Sequence, residues 1–94
     1  MRSLIIDGRA ITDDSGCYVI AEIGHNHQGN LVTSKEIFRV AKKCGADAVK
    51  LQKRDNKALY TKELYSKPYE NRNSYGKTYG EHREALEFWW KEYV

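Results

Sequence analysis

The stretch YVIAEIGHNHQGN, from Tyr18 to Asn30, decides how the chain is read. Its first half continues Cys17 into CYVIAEI, a run rich in Val and Ile over residues 17–23. Odd and even positions are both largely apolar, the pattern of a strand covered on both faces. A polar loop follows. Beyond it, Ile37, Val40, Ala41 and Cys44 recur at helical spacing and predict an amphipathic helix with those four residues on one face. Thr33 and Glu36 have capping-box spacing, with Val32 and Ile37 placed as a hydrophobic staple; the alternative start lies a turn earlier, near Asn30. Lys42 and Lys43 suit the negative end of the helix dipole, and Gly45 suits the position just past it. DAVKLQ, residues 47–52, reads as a second short strand. Strand, helix and strand in succession make one βαβ unit, which normally means a parallel sheet.

Upstream, SLIIDGRAITDD predicts a hairpin turning at Asp7-Gly8, and DDSG at 13–16 turns the chain again. Downstream, residues 53–80 are polar and tyrosine-rich, broken by Pro68, Gly76 and Gly80. A connection of that length is unusual without a function. GEHREALEFWWKEY is helical by propensity, although Trp89 and Trp90 cannot both bury on one narrow helical face. The 94 residues suit one small domain, and 40% hydrophobic with 31% charged residues excludes a disordered chain. A net charge of +3, from 16 basic and 13 interspersed acidic residues, leaves no phosphate-backbone footprint, so no nucleic-acid partner is expected. Cys17 and Cys44 have no metal or disulfide spacing and are expected to be reduced and partly buried, as in a cytoplasmic protein. MRSLIIDGRAITDDSG has only three consecutive apolar residues, which is neither a signal peptide nor a membrane span.

Strand periodicity places the chemistry. Glu22 shares a face with Ile20, and Lys50 shares one with Gln52, while Val49 and Leu51 take the other side. In a closed (β/α)₈ barrel, Glu22, Lys50 and Gln52 would point inward near the C-terminal mouth, where barrel active sites are built. A charged residue there needs a partner or a ligand. Lys50 suits an anion. Glu22 suits either Lys50 itself or the hydrogen bonds of a polyhydroxyl substrate. His25 and His27 offer two nitrogen ligands, but no neighbouring cluster completes a zinc set, and the letters HNH do not by themselves reproduce a nuclease fold. Asn26 could orient a substrate hydroxyl or cap the turn. PYENRNSYGKTYGEH mixes acidic residues among its tyrosines, which favours a loop packed by its own aromatics over a nucleic-acid surface.

Three blocks, YVIAEIGHNHQGN, AKKCGADAVKLQK and NSYGKTYGEHREALEF, together resemble the N-terminal part of the N-acetylneuraminate (sialic acid) synthase family, over roughly residues 17–88. The resemblance implies a (β/α)₈ barrel preceded by a hairpin, here a hairpin segment over 1–16 and a partial barrel over 17–94. It implies condensation of phosphoenolpyruvate with N-acetylmannosamine or a related 2-acetamido sugar, with release of phosphate. It also implies a homodimer whose C-terminal antifreeze-like domain reaches the partner's site, and a divalent metal, Mn or Mg, polarising the sugar aldehyde. Carried onto this sequence, Glu22 is the catalytic candidate, handling a proton or positioning water. Lys50 is the phosphate-binding lysine, Gln52 stands beside the same site, and Asn26 belongs to the signature loop. His25 and His27 receive no catalytic step. The family's metal-binding histidines belong to later strands and have no counterpart in these residues.

After Leu86-Glu87-Phe88 the family continues with a small or polar residue, whereas this chain reads WWKEYV. About two of eight barrel strands are expected here. That predicts an inactive fragment of a synthase or, alternatively, a noncatalytic product or interaction module associating with a complete one.

Overall fold

The structure, a computed structural model, describes residues 2–94; Met1, the first residue of the predicted hairpin segment, lies outside them. The fold is mixed α/β with two separate two-stranded sheets, neither closed. Strands β1 (Ser3–Ile6) and β2 (Arg9–Thr12) form the antiparallel hairpin, with Ile6 opposite Arg9. The intervening Asp7 and Gly8 both take positive φ, 48° and 76°, as a tight turn matching strand twist requires. Arg9 ties the hairpin to the body through Asp47 at 2.6 Å.

Strand β3 (Ile20–Gly24), helix α1 (Leu31–Lys43) and strand β4 (Ala48–Leu51) are the βαβ unit, and β3 pairs with β4 in parallel. The predicted strand 17–23 begins three residues late because Asp47 takes over at its head. The Asp47 carboxylate accepts from Val19 N–H at 2.8 Å, and the Val19 carbonyl accepts from both Asp47 and Ala48 N–H. Helix α1 starts at Asn30, whose side chain accepts from Thr33 N–H at 3.1 Å. Thr33 is therefore inside the helix, Glu36 pairs with Arg39 on the surface, and Val32 is exposed rather than stapled. At the other end Gly45 and Ala46 donate to the Lys42 and Ala41 carbonyls and close the helix.

The predicted inner face of α1 is corrected. Ser34 is fully buried, and Leu31, Ile37, Phe38 and Ala41 are half-buried, but Val40 and Cys44 lie in solvent. A two-stranded sheet covers only a narrow strip of the helix, so a four-residue stripe cannot all be buried. Cys17 is exposed too, so neither thiol has the partial burial expected of it.

Residues 53–80 fold on themselves. They carry two one-turn helices, α2 (Asn56–Leu59) and α3 (Lys62–Tyr65), and a single bridge between Pro68 and Thr78. Tyr79 meets Tyr60 and Tyr69 edge-on at 5.2 and 5.5 Å. Helix α4 (Tyr79–Ala85) opens with a capping box between Thr78 and Glu81. It stops at Ala85, short of the predicted helical span, and only a last turn, α5 (Trp90–Tyr93), resumes beyond it. The break has a physical cause. Leu86, Glu87 and Phe88 are consecutive and all buried, and three neighbours on a helix span too wide an arc to face one core.

That core is thin. Among the described residues its buried apolar side chains are Ile23, Leu86 and Phe88. The radius of gyration is 17.6 Å, whereas a compact domain of this length has about 12 Å. The accessible surface is 7364 Å², against roughly 5,600 Å² for a folded monomer of this mass.

Candidate functional site

The C-terminal ends of β3 and β4 gather the charged residues. The ladder pairs Glu22 with Lys50, so both side chains project from one face, as strand periodicity predicts. Lys50 Nζ stands 3.1 Å from Glu22 Oε2, with the two side chains 59% and 55% exposed. At that exposure water screens the pair strongly, and the attraction contributes little stability. Chemically the pair presents an ammonium able to take an oxyanion and a carboxylate able to accept a proton.

Immediately beyond Glu22 the register slips, and Gly24 rather than Ile23 pairs with Leu51. The extra residue turns Ile23 into the core. The ladder ends there, so Gln52 is outside it, half-buried and without a side-chain hydrogen bond among the described residues. The shared face of Lys50 and Gln52 expected from an unbroken strand is thus not fixed by pairing. Asn26 is exposed, and its side-chain Nδ2 donates to the Ile23 carbonyl at 2.7 Å. Its amide caps the turn after β3, the more local of the two roles expected of it.

The two histidines are neither exposed nor equivalent. His27 Nδ1 accepts from Gly29 N–H at 2.9 Å, which places the neutral ring's proton on Nε2. The ring stacks on Phe88, centroids 3.8 Å apart and planes 12° from parallel. Burial pushes the His27 imidazole below its ordinary value of 6.5; nearby His25 acts in the same direction and Glu87 opposes it. Nε2 is buried with no partner among the described residues. Gly29 is required where it stands. Its φ is +76°, and a Cβ there would lie 2.5 Å from the Ala85 carbonyl oxygen.

A second acidic group was not among the residues singled out from the sequence. Glu87 has a side chain only 1% exposed, and it gathers three partners. His25 Nε2 lies 3.0 Å from Oε1, close enough for an ion pair though not aligned as a hydrogen bond. Lys53 Nζ lies 3.1 Å from Oε2, and Arg54 N–H donates to the same oxygen at 3.3 Å. Lys53 also donates to the Arg54 carbonyl at 2.6 Å and sits 4.6 Å over the Trp89 ring. Trp89 and Trp90 are both exposed, flanking an open cleft with Lys53, Arg54 and Tyr93. The signal for Glu87 was present in the sequence as a carboxylate between two large apolar residues, Leu86 and Phe88.

Among the described residues no three His, Cys, Asp or Glu side chains converge as a metal site requires. The residues present do not fit the divalent ion that the resemblance implies. No helix among them is long and apolar enough to cross a membrane.

Comparison with known proteins finds relatives over most of the chain. The chain is 46% identical over 81 residues to N-acetylneuraminate-9-phosphate synthase of Homo sapiens, an overlap of 86% of this chain and 23% of that protein. It is 43% identical over 90 residues to the Drosophila melanogaster protein of the same name, covering 96% of this chain and 23% of the relative. It is 41% identical over 58 residues to N,N'-diacetyllegionaminic acid synthase of Legionella pneumophila, covering 62% and 16%. The chain thus spans about a quarter of the length of the first two relatives. No solved structure matches. The NeuB family pattern matches residues 37–94, running from the middle of α1 through both tryptophans to Val94. With a match over more than half its length and relatives 43–46% identical over most of the chain, the chain belongs to the NeuB family.

Proposed function

We propose that β3 and β4 are the first two strands of a (β/α)₈ barrel, and that their ends form the phosphate side of its mouth. The reaction is N-acetylneuraminate synthase-type condensation of phosphoenolpyruvate with N-acetylmannosamine or a related 2-acetamido sugar. The relatives' names cover N-acetylneuraminate-9-phosphate and diacetyllegionaminic acid, so the sugar is assigned as a class. The observation that carries the reading is the Glu22–Lys50 pair, 3.1 Å apart at the C-terminal ends of parallel strands in a NeuB chain.

In this reaction C3 of phosphoenolpyruvate bonds to the aldehyde carbon of the open-chain sugar, and the aldehyde oxygen takes a proton. Water adds at C2, the C2–O bond breaks, and inorganic phosphate leaves. Lys50 holds the phosphate and neutralises its charge in the closed mouth. Glu22 orients the incoming water and accepts its proton. Gln52 stands beside the phosphate, and Asn26, through the oxygen of its amide, faces a substrate hydroxyl. The divalent ion receives no step, because these residues supply no ligand set for it.

The open sheet and thin core favour a second reading for the chain on its own, a noncatalytic module that associates with a complete synthase. Accordingly, phosphoenolpyruvate, N-acetylmannosamine and Mn²⁺ should give no phosphate release with the isolated chain, and measurable turnover would overturn that second reading. The phosphate role is tested by titrating phosphoenolpyruvate into the ¹⁵N-labelled chain. Shifts should cluster at Glu22, Lys50 and Gln52 and vanish in Lys50→Ala. An equal response in that variant refutes the assignment.

A further inference from the structure

Two of the proposed substrate-side residues, Asn26 and Gln52, lie on different loops, and neither is held by the β3–β4 ladder. Each has a neighbour that is held. His25 precedes Asn26 and meets Glu87 Oε1, while Lys53 follows Gln52 and meets Glu87 Oε2. Arg54 N–H donates to that second oxygen, so the loop after β4 is tied by backbone as well as by side chain. The next residue along the chain, Phe88, stacks on His27 and holds the far side of Asn26. The consecutive pair Glu87-Phe88 thus grips the loop after β3 on both sides of Asn26, and the loop after β4 just beyond Gln52. Glu87 itself is buried, with Oε2 accepting from Lys53 and Arg54 of one loop and Oε1 within ion-pair distance of His25 of the other.

We propose that Glu87 is a positioning residue for the mouth, a single buried carboxylate that fixes the Asn26 loop and the Gln52 loop to one point and thereby sets their separation. The relevance to substrate rests on the function proposed above; the clamp itself does not. A charged carboxylate suits the task because it accepts at both oxygens, whereas a neutral amide of the same shape presents one acceptor and one donor. The neutral amide also loses the charge that attracts the Lys53 ammonium and a protonated His25, so the hold on at least one of the two loops is weakened.

The clamp is tested in the ligand-free 94-residue chain by amide hydrogen exchange, comparing Glu87→Gln with Phe88→Leu. In Glu87→Gln the amides of at least one loop, Asn26 on one side or Gln52, Lys53 and Arg54 on the other, should exchange about tenfold faster or more. The ladder amides of Ala21 and Val49 and those of the hairpin should keep their rates. Phe88→Leu, a loss of packing that retains the carboxylate, should speed the buried body uniformly. Unchanged loop amides in Glu87→Gln, or loop and ladder amides accelerated together, would overturn the proposal. Phosphoenolpyruvate titration of the same variants separates this from the functional reading. Lys50-dependent binding in the wild type that weakens about tenfold in Glu87→Gln, with the ladder rates intact, supports positioning; binding unchanged by the substitution overturns positioning for substrate. A wild-type chain with no Lys50-dependent response overturns the functional reading, and the exchange pattern still decides the clamp.

Discussion

Two acidic residues at the same end of the same small sheet live in opposite environments. Glu22 faces Lys50 across the ladder with more than half of each side chain in water, while Glu87 is enclosed and shared among His25, Lys53 and a backbone amide. The contrast separates two uses of charge. An exposed pair costs little to separate, so either partner is free to turn to a ligand. A buried carboxylate is costly to leave unpaired, so its partners are committed to it. The strand ends thus combine an exposed pair, open to a ligand, with a buried carboxylate set between the two loops.

The sharpest way to break this comparison is Glu87→Ala. It leaves Arg54 N–H without its acceptor and ends the His25 contact, while the half-exposed Lys53 returns to water, and chemical denaturation should show a loss of about 1–3 kcal/mol, the range for an unsatisfied buried donor. A loss no greater than that of an exposed pair would erase the distinction. The next effect is pH. Burial holds His27 below its ordinary value of 6.5. Between those two values the unfolded chain binds a proton that the folded chain refuses. Stability should therefore fall as pH drops through 6.5 towards the lowered folded value, with no further loss from this group below it. Melting temperatures across that window should show the slope in the wild type and a flatter one in His27→Gln, which retains an acceptor for Gly29 N–H. The smallest effect belongs to Lys50→Ala, expected to change stability by about 0–1 kcal/mol. A loss as large as that of Glu87→Ala would mean that Lys50 is structural and not poised for an anion.

What could be read from the sequence follows the range of the forces involved. The Asp7-Gly8 turn, the helix ending at Gly45 and the shared face of Glu22 and Lys50 depend on a few consecutive residues or on strand periodicity, and all three are present in the fold. The inward face of α1 depends on how much sheet lies beneath the helix, and there Val40 and Cys44 were misplaced. The helix through residues 80–93 failed for the same reason. Burial of Leu86 and Phe88 against the loop after β3 overrides local propensity and ends α4 at Ala85. At the site, Glu22 and Lys50 were legible because the ladder aligns them. Glu87 was not, because its partners lie 34 and 62 positions away and no periodicity connects them. The bulge at Ile23, which removes Gln52 from the ladder, left no local mark either.

Asp47 carries a consequence for how the chain assembles. Its carboxylate receives Val19 N–H at the head of β3 and the Arg9 guanidinium of the hairpin, while its own N–H goes to the Val19 carbonyl. The hairpin closes between near neighbours in sequence and forms on the microsecond scale. The parallel ladder must first close a loop of 28 residues, an entropic cost that delays it. The two events meet at one side chain. Asp47 is thus the point where a fast local fold and a slow distant one are joined.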